Sequence, residues 1–291
     1  MSPSMSVSEK IKLIAPAKVN LFLHVLGKNE NNYHNLQSLI TFTDFGDEIT
    51  ITPADEFKFS FDSTVTNLPH DENNLVICAA KTLADALNKS LNCHIHLTKN
   101  IPIGAGLGGG SSDAAATIKG LLQFWNTQID DETLAPLLLN LGADVPCCYY
   151  NAPCYIEKTG EDITPIVTLP TLYGALIYPN EHCSTQDIFE QYDANYSSKI
   201  KRPTSFENED DLITFLLLQR NDLTQAAIKN IPSIKDIIAA IEKQNGHLLS
   251  RMSGSGSACF GIFKTKEQSL QAVQHILSEN KNWWGQAVTI S

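Results

Sequence analysis

Pro102-Ile103-Gly104-Ala105-Gly106-Leu107-Gly108-Gly109-Gly110-Ser111-Ser112-Asp113 carries five of the chain's 16 glycines and runs straight into an apolar-periodic segment, Ala114 to Trp125. Glycine loses the most backbone entropy on ordering, so such a cluster belongs where no side chain fits or where φ must be positive. Successive backbone N–H groups of a loop like this converge into an anion-binding nest. A following helix adds its free first-turn N–H groups and the positive end of its dipole. A flexible linker would not run at once into Ser111, Ser112 and Asp113 as cap candidates and then Ala114, Ile118, Leu121, Leu122 and Trp125 on one helical face. The stretch predicts a phosphate loop opening a helix.

Three loop patterns compete. Walker A spacing is present between Gly104 and Gly109, but Gly110 stands where that loop needs lysine. Gly104, Gly106 and Gly109 satisfy the dinucleotide pattern literally, after an alternating strand from His94 to Leu97. Against it stand Pro102 at the strand–loop junction and Asp130 and Asp131, which follow a helix rather than a second strand. The third pattern, Pro-x-x-x-Gly-Leu-Gly-Gly/Ser-Gly-Ser-Ser, belongs to a kinase family considered below.

At 291 residues the chain can bury a sizeable core in one large or two medium domains. Its hydrophobic (43%) and charged (18%) fractions are those of a globular protein. No apolar run approaches the ~20 residues of a membrane span, and the polar start, Met1 to Lys10, lacks the order of a signal peptide. Seven cysteines without a Cys-x-x-Cys pair predict thiols in a reducing, cytoplasmic setting. The net charge of −11 argues against nucleic acid as a partner. It also means that anionic phosphates must be held by local backbone dipoles, a few placed lysines and a divalent cation, not by a general positive field.

Upstream, Val19 to Val25 alternates as a strand with Lys18 and Asn20 on one face. Asn31 to Leu36 reads as a turn, Leu39 to Phe45 and Glu48 to Thr52 as two strands, Phe57 to Phe61 as another, and Leu75 to Leu87 as a helix. Asp130 or Asp131 opens a helix that ends at Gly142, and Ala143-Asp144-Val145-Pro146 follows as a constrained turn. Leu172 to Tyr178 is a strand. Ser197 to Asp211 is a candidate flexible insertion, and about Leu212 to Asn245 is helical. His247 to Ser253, Ser257 to Phe263, a helix Lys266 to Ser278 and a strand Gln286 to Ile290 end the chain as a small α+β unit. Gly254-Ser255-Gly256 is either a hairpin-type turn or a second backbone nest. Tyr33-His34 is either plain surface or a ring to stack on a base beside an imidazole to read its edge.

The glycine loop resembles the ATP loop of the GHMP family of small-molecule kinases. Pro16-Ala17-Lys18-Val19-Asn20-Leu21, Tyr33-His34, Gly142-Ala143-Asp144-Val145-Pro146 and Gly254-Ser255-Gly256 stand in that family's order, so the likeness runs nearly end to end. It implies an α+β, two-domain GHMP kinase fold: a ribosomal-protein-S5-like α/β ATP-binding domain over residues 1–165 and a ferredoxin-like α+β domain over 166–291. It implies ATP and Mg2+ as cofactors, and as acceptor an alcohol linked to cytidine diphosphate; the alternatives are a mevalonate- or homoserine-like acceptor, or a non-catalytic nucleotide binder. The same resemblance assigns residues. Asp144 would take or orient the acceptor proton, with Lys18 beside it steadying charge. Pro102, Ile103, Gly104, Ala105, Gly106, Leu107, Gly108, Gly109, Gly110, Ser111 and Ser112 would wrap the triphosphate, with Asn74 near the nucleotide. Asn20 and Thr185 would contact the acceptor, Tyr33 and Phe189 would sandwich its cytosine, and His34 would bond the base edge. Gly254, Ser255 and Gly256 would close over the phosphates. Ser112 is the one candidate metal ligand. No membrane or nucleic-acid partner is implied, and the expected state is a monomer or weak homodimer. Asn32 departs from the glycine that commonly precedes Tyr-His, a change the turn can absorb because asparagine tolerates the left-handed conformation.

Overall fold

The computed structural model describes residues 10–62, 71, 73–182 and 184–291. The chain divides into two compact units. One comprises the described residues of Met1–Ala17, Gly46–Ile103 and Gly108–Tyr150; the other comprises Lys18–Phe45, Gly104–Leu107 and those of Asn151–Ser291. Two long strands, β1 (Ile11–Lys28) and β2 (His34–Pro53), run from one unit into the other.

In the first unit the end of β2 pairs antiparallel with β4 (Cys93–Thr98), from Glu48 opposite Thr98 to Pro53 opposite Cys93, and β3 (Lys58–Phe61) runs parallel to β4. Cys93, Ile95 and Leu97 are buried while His94, His96 and Thr98 are half-buried, the two-residue period of a sheet with one core face. α1 (Leu75–Leu87) follows its sequence-predicted span, with Val76, Ala79, Ala80 and Leu83 buried. Asn74 is its N-cap: Oδ1 accepts from Val76 N at 2.9 Å, a cap whose loss costs about 1 kcal/mol. α2 (Gly109–Phe124) packs on α1, followed by α3 (Asp131–Leu141), capped by Asp130, and α4 (Val145–Tyr150).

The second unit holds β5 (Cys154–Lys158), β6 (Asp162–Pro165), β7 (Leu172–Tyr178), α5 (Thr185–Glu190), α6 (Glu209–Leu217), α7 (Thr224–Asn230), α8 (Ser233–Glu242), β8 (His247–Met252), β9 (Cys259–Phe263), α9 (Lys266–Glu279) and β10 (Trp284–Ile290). Its strand order β10-β7-β9-β8 is all antiparallel, and the run β7, α8, β8, β9, α9, β10 has the ferredoxin-like connectivity. Ala175, Ile177, Met252, Cys259 and Phe263 meet Ile234, Ile237 and Ile241 of α8 and Ala272, Val273 and Ile276 of α9 in one core. The expected α+β ending is borne out.

Six local expectations change. Leu39 to Phe45 and Glu48 to Thr52 are one strand, because Gly46 is not a turn: a Cβ there would lie 2.3 Å from Ala15 O, so glycine serves close strand approach. The Asn31 turn ends sooner, His34 already opening β2. α2 begins at Gly109, so Ser111, Ser112 and Asp113 lie inside the helix rather than capping it; Gly108, left-handed at φ 66°, precedes it without a side-chain cap. Ala143 to Pro146 leads straight into α4, where Pro146 suits a first helical turn that needs no N–H from it. Residues 197–211 are pinned: Ser197 N bonds Val25 O, Ile200 N bonds Gln37 Oε1, and Phe206 is buried. The helical run after Leu212 breaks at Asn221–Asp222, which bridge to Leu23, and at Pro232.

Among the described residues Cys78, Cys93, Cys147, Cys148, Cys154 and Cys259 form no disulfide, and Cys183 lies outside the described residues. The polar start, residues 1–9, lies outside them too. Among the described residues no helix is long and apolar enough to cross a membrane.

Candidate active site

The glycine loop is shared between the two units, and each part is fixed differently. In the first unit, the N–H groups of Gly109, Gly110 and Ser111 open α2 and have no intrahelical acceptor, which makes this end a seat for anions. Ser112 N already bonds Gly108 O at 2.9 Å. The buried Ser112 hydroxyl donates to Pro16 O at 2.7 Å and lies 3.4 Å from Cys148 Sγ.

Beneath this end lies an ion cluster that the sequence reading missed. Lys99 Nζ bonds Asp47 Oδ2 and, at 2.8 Å, Asp113 Oδ2, all three side chains being buried. The other Asp47 oxygen accepts from Asn100 N (2.6 Å) and Ile101 N (2.7 Å). One carboxylate therefore grips the chain just before Pro102, and the shared lysine ties it to the first turn of α2. Asp113 Oδ1 has no partner among the described residues. Burial drives the Asp113 carboxyl up to about 8, against the pull of Lys99 and helped by Asp47. For Lys99, burial works against the charge, but the two carboxylates outweigh it and move the ammonium upward. One lysine between two carboxylates leaves the cluster one negative charge in excess unless Asp113 keeps its proton.

In the second unit, residues 104–107 lie against the Ser253–Ser257 turn. Ala258 N bonds Ala105 O at 2.8 Å, Ser253 Oγ lies 3.3 Å from Gly106 O, and Lys18 N bonds Leu107 O at 2.8 Å. Gly106 has φ +79°, and a Cβ on it would sit 2.5 Å from Gly256 O, so only glycine fits between the two loops. Buried Asn221 holds the turn from behind, its amide donating to Met252 O (2.9 Å) and Gly254 O (2.7 Å). Thr185 Oγ1 is 2.8 Å from Ser255 Oγ. The turn read as either hairpin or nest thus faces the glycine loop directly.

Asn20 is buried, Nδ2 donating to Ser38 Oγ at 2.8 Å, its backbone N–H bonding Ser253 Oγ, and Oδ1 without a partner among the described residues. Lys18 is likewise buried. Tyr33, His34, Thr185 and Phe189 come together around one cavity of about 620 Å3, which Lys28, Thr159, Gln186 and Glu190 also line. His34 stacks on Phe189, ring centroids 4.9 Å apart and planes 25° apart, and Tyr192 meets it edge-on. Tyr33 is 67% exposed. Burial and the charge of Lys28 both lower the His34 pKa, keeping the imidazole neutral, with one donor and one acceptor nitrogen. In the first unit, Asp144 is half-buried and its carbonyl takes Cys148 N (3.1 Å) and Cys147 Sγ (3.1 Å), fixing it at the head of α4.

Lys28 was legible in principle, since Gly27-Lys28-Asn29 leads into the Tyr33-His34 turn, but an isolated surface lysine carries no pattern. Lys99 and Asp113 flank the glycine loop in sequence; Asp47, more than fifty residues upstream, gives no local sign of joining them.

Comparison with known proteins follows the same outline. The model of the GHMP kinases N terminal domain matches residues 74–152, and that of the GHMP kinases C terminal matches 208–282. A 4-diphosphocytidyl-2-C-methyl-D-erythritol kinase of Rhizobium etli (strain CIAT 652) is 38% identical over 275 residues, covering 94% of this chain and 92% of that protein. The crystal structure of a 4-(cytidine 5'-diphospho)-2C-methyl-D-erythritol kinase superposes with a TM-score of 0.80 at 26% identity, covering 97% of this chain and 99% of the other. Homoserine kinase from Cytophaga hutchinsonii ATCC 33406, at 20% identity and TM-score 0.72 over 99% and 96% of the two chains, shares the fold.

Proposed function

The chain belongs to the GHMP kinases, among the 4-diphosphocytidyl-2-C-methyl-D-erythritol kinases, and on that premise we propose that it moves the γ-phosphoryl group of ATP to the 2-hydroxyl of 4-diphosphocytidyl-2-C-methyl-D-erythritol, in the non-mevalonate route to isoprenoid precursors. The observation that carries this acceptor over a mevalonate- or homoserine-like one is the aromatic-walled cavity at Tyr33, His34 and Phe189, which is suited to a planar base. The two family models fall on either side of residue 165, which supports an ATP-binding domain over 1–165 and a second kinase domain over 166–291.

Phosphoryl transfer asks a protein mainly for positioning and charge stabilisation. The α2 N-terminus and the loop from Pro102 to Ser112 hold the triphosphate through backbone N–H groups, and the Gly254-Ser255-Gly256 turn braces residues 104–107 of that loop. Asp144 accepts the proton of the 2-hydroxyl as its oxygen bonds to the γ-phosphorus and the β–γ bridging bond breaks, releasing ADP. Lys18 offsets the charge spread over the transferring group. Asn20 Oδ1, a buried acceptor without a partner among the described residues, orients the acceptor hydroxyls, and Thr185 adds a hydroxyl. Asn74 acts on the nucleotide through the α1 end it caps. Among the described residues no three acidic, His or Cys side chains converge on one point; the Ser112 oxygen, its proton committed to Pro16 O at 2.7 Å, is the side chain here that would hold Mg2+, which would supply charge stabilisation to the phosphates. We further propose a cytoplasmic monomer or weak homodimer, with neither nucleic acid nor membrane as partner.

The test is ADP release from ATP and Mg2+ with the cytidine-linked methylerythritol as acceptor, mevalonate and homoserine as controls, and Asp144→Asn in parallel. Turnover with the cytidine-linked acceptor alone, falling at least ~100-fold in the variant, is the expected outcome. Turnover with a control acceptor would reassign the substrate; ATP binding without turnover on any acceptor would leave a non-catalytic nucleotide binder.

A further inference from the structure

The cavity beside Tyr33 and His34 has one feature that base stacking does not use. Of the side chains lining it, Lys28 is the only cation, and Lys28 makes no ion pair among the described residues. The one acidic group on the wall, Glu190, is engaged elsewhere: Oε1 accepts from Gln186 Nε2 at 2.8 Å, one turn back along α5. Lys28 lies at the end of β1 and projects from an exposed position on the rim. At about 620 Å3 the space exceeds what one pyrimidine ring fills and falls in the range of pockets that enclose a whole nucleotide-sized ligand.

A net charge of −11 makes an unneutralised cation at this rim informative. The overall field repels a nucleoside diphosphate, so attraction has to come from a placed charge at the pocket itself. We propose that Lys28 binds the diphosphate of the acceptor, making this pocket a reader of the nucleoside diphosphate and not of the base alone. The assignment rests on the cytidine-linked acceptor proposed above. Tyr33, His34 and Phe189 take the base, and the ammonium takes the phosphate oxygens as they leave the ring. The charged and titratable groups facing this space are Lys28, Tyr33, His34 and Glu190, with Tyr192 behind His34. The closeness of Lys28 to His34 shows in its effect, since its charge helps to hold that imidazole neutral.

The experiment is calorimetric titration of the whole protein with cytidine, CMP and CDP, on the native chain, Lys28→Gln and Lys28→Arg, at about 50 mM and about 500 mM salt. Losing a charge-assisted contact predicts that Lys28→Gln weakens CDP binding about tenfold at low salt and less at high salt, while cytidine changes less than about twofold. Lys28→Arg restores CDP binding. In turnover, Lys28→Gln raises the acceptor KM by the same factor, with a smaller change in kcat and none in ATP KM. Equal losses for cytidine and CDP, or no loss for either, would overturn the proposal. CDP binding that depends on Lys28, without turnover of the cytidine-linked acceptor, would sink the enzymatic reading and leave Lys28 standing. A native protein that binds neither cytidine nor CDP would end both.

Discussion

Lys99→Met is the most demanding test of how the glycine loop is held. The substitution keeps much of the volume and removes the one cation that, among the described residues, pairs with buried Asp47 and Asp113. Breaking a buried ion pair from one side costs about 3–5 kcal/mol, because the abandoned Asp47 carboxylate remains out of water. At ~2–4 °C per kcal/mol for a chain of this size, the melting temperature should fall by about 6–20 °C. Asp47 grips Asn100 N and Ile101 N, so the loss falls where the chain enters the phosphate loop, and ATP affinity should drop with stability. The assay is thermal and urea unfolding by circular dichroism, with Lys99→Met/Asp47→Asn alongside, the amide oxygen still able to accept from Asn100 N and Ile101 N. Neutralising one carboxylate should recover at least ~1 kcal/mol. A second arm uses pH. The folded protein keeps the Asp113 proton up to about 8, whereas the unfolded chain releases it near 3.8. Between those values the native state binds more protons than the unfolded state, so this group's stabilisation is complete below the lower value and is lost as pH rises through the upper one. The slope is at most about 1.4 kcal/mol per pH unit, and Asp113→Asn should flatten it. A Lys99→Met protein that loses less than ~1 kcal/mol, or a double variant no steadier than the single one, would refute the cluster's role.

Two further outcomes are expected. Gly106→Ala places a Cβ 2.5 Å from Gly256 O at φ +79°; it should cost about 1–3 kcal/mol and weaken ATP binding, read by thermal unfolding and nucleotide titration, and a variant with native values in both would remove the contact from the account. Tyr33→Ala should raise the acceptor KM about tenfold through loss of a stacking ring while leaving ATP KM within about twofold; steady-state kinetics that moved both together would detach Tyr33 from the acceptor.

Periodicity carried much of the fold. α1 and β4 follow the sequence reading closely because their apolar spacing is set by one buried face, and β7 does so as a short apolar run buried almost throughout. Where local signals misled, tertiary contacts explain it. Gly46 looks like a turn and is a close approach to Ala15; the polar run from Ser197 looks loose and is held by Gln37 and Val25. The second unit gathers Tyr33, His34, Thr185 and Phe189 around one cavity, residues that only an ordered set of motifs linked in sequence. In that cavity the His34 ring stacks on Phe189, while the sandwiching of a base between Tyr33 and Phe189 is part of the proposed function. The Lys99, Asp47 and Asp113 cluster stayed hidden because its members sit on three separate segments, and a charge at one position says nothing about burial.

The position of β10 bears on biosynthesis. In the second unit it lies between β7, paired from Trp284 to Ile290, and β2, where Ile290 meets Thr43. Ser291 bonds back to Phe42 and Thr41. The strand that joins these neighbours leaves the ribosome after both of them, and its contact with β2 links residues as far apart in sequence as Thr43 and Ile290. Until it arrives, β2 and β7 each present an open edge of the kind that recruits other strands. A ribosome paused before Trp284 therefore holds a nascent protein with a split sheet, and shielding in that interval falls to chaperones rather than to the fold.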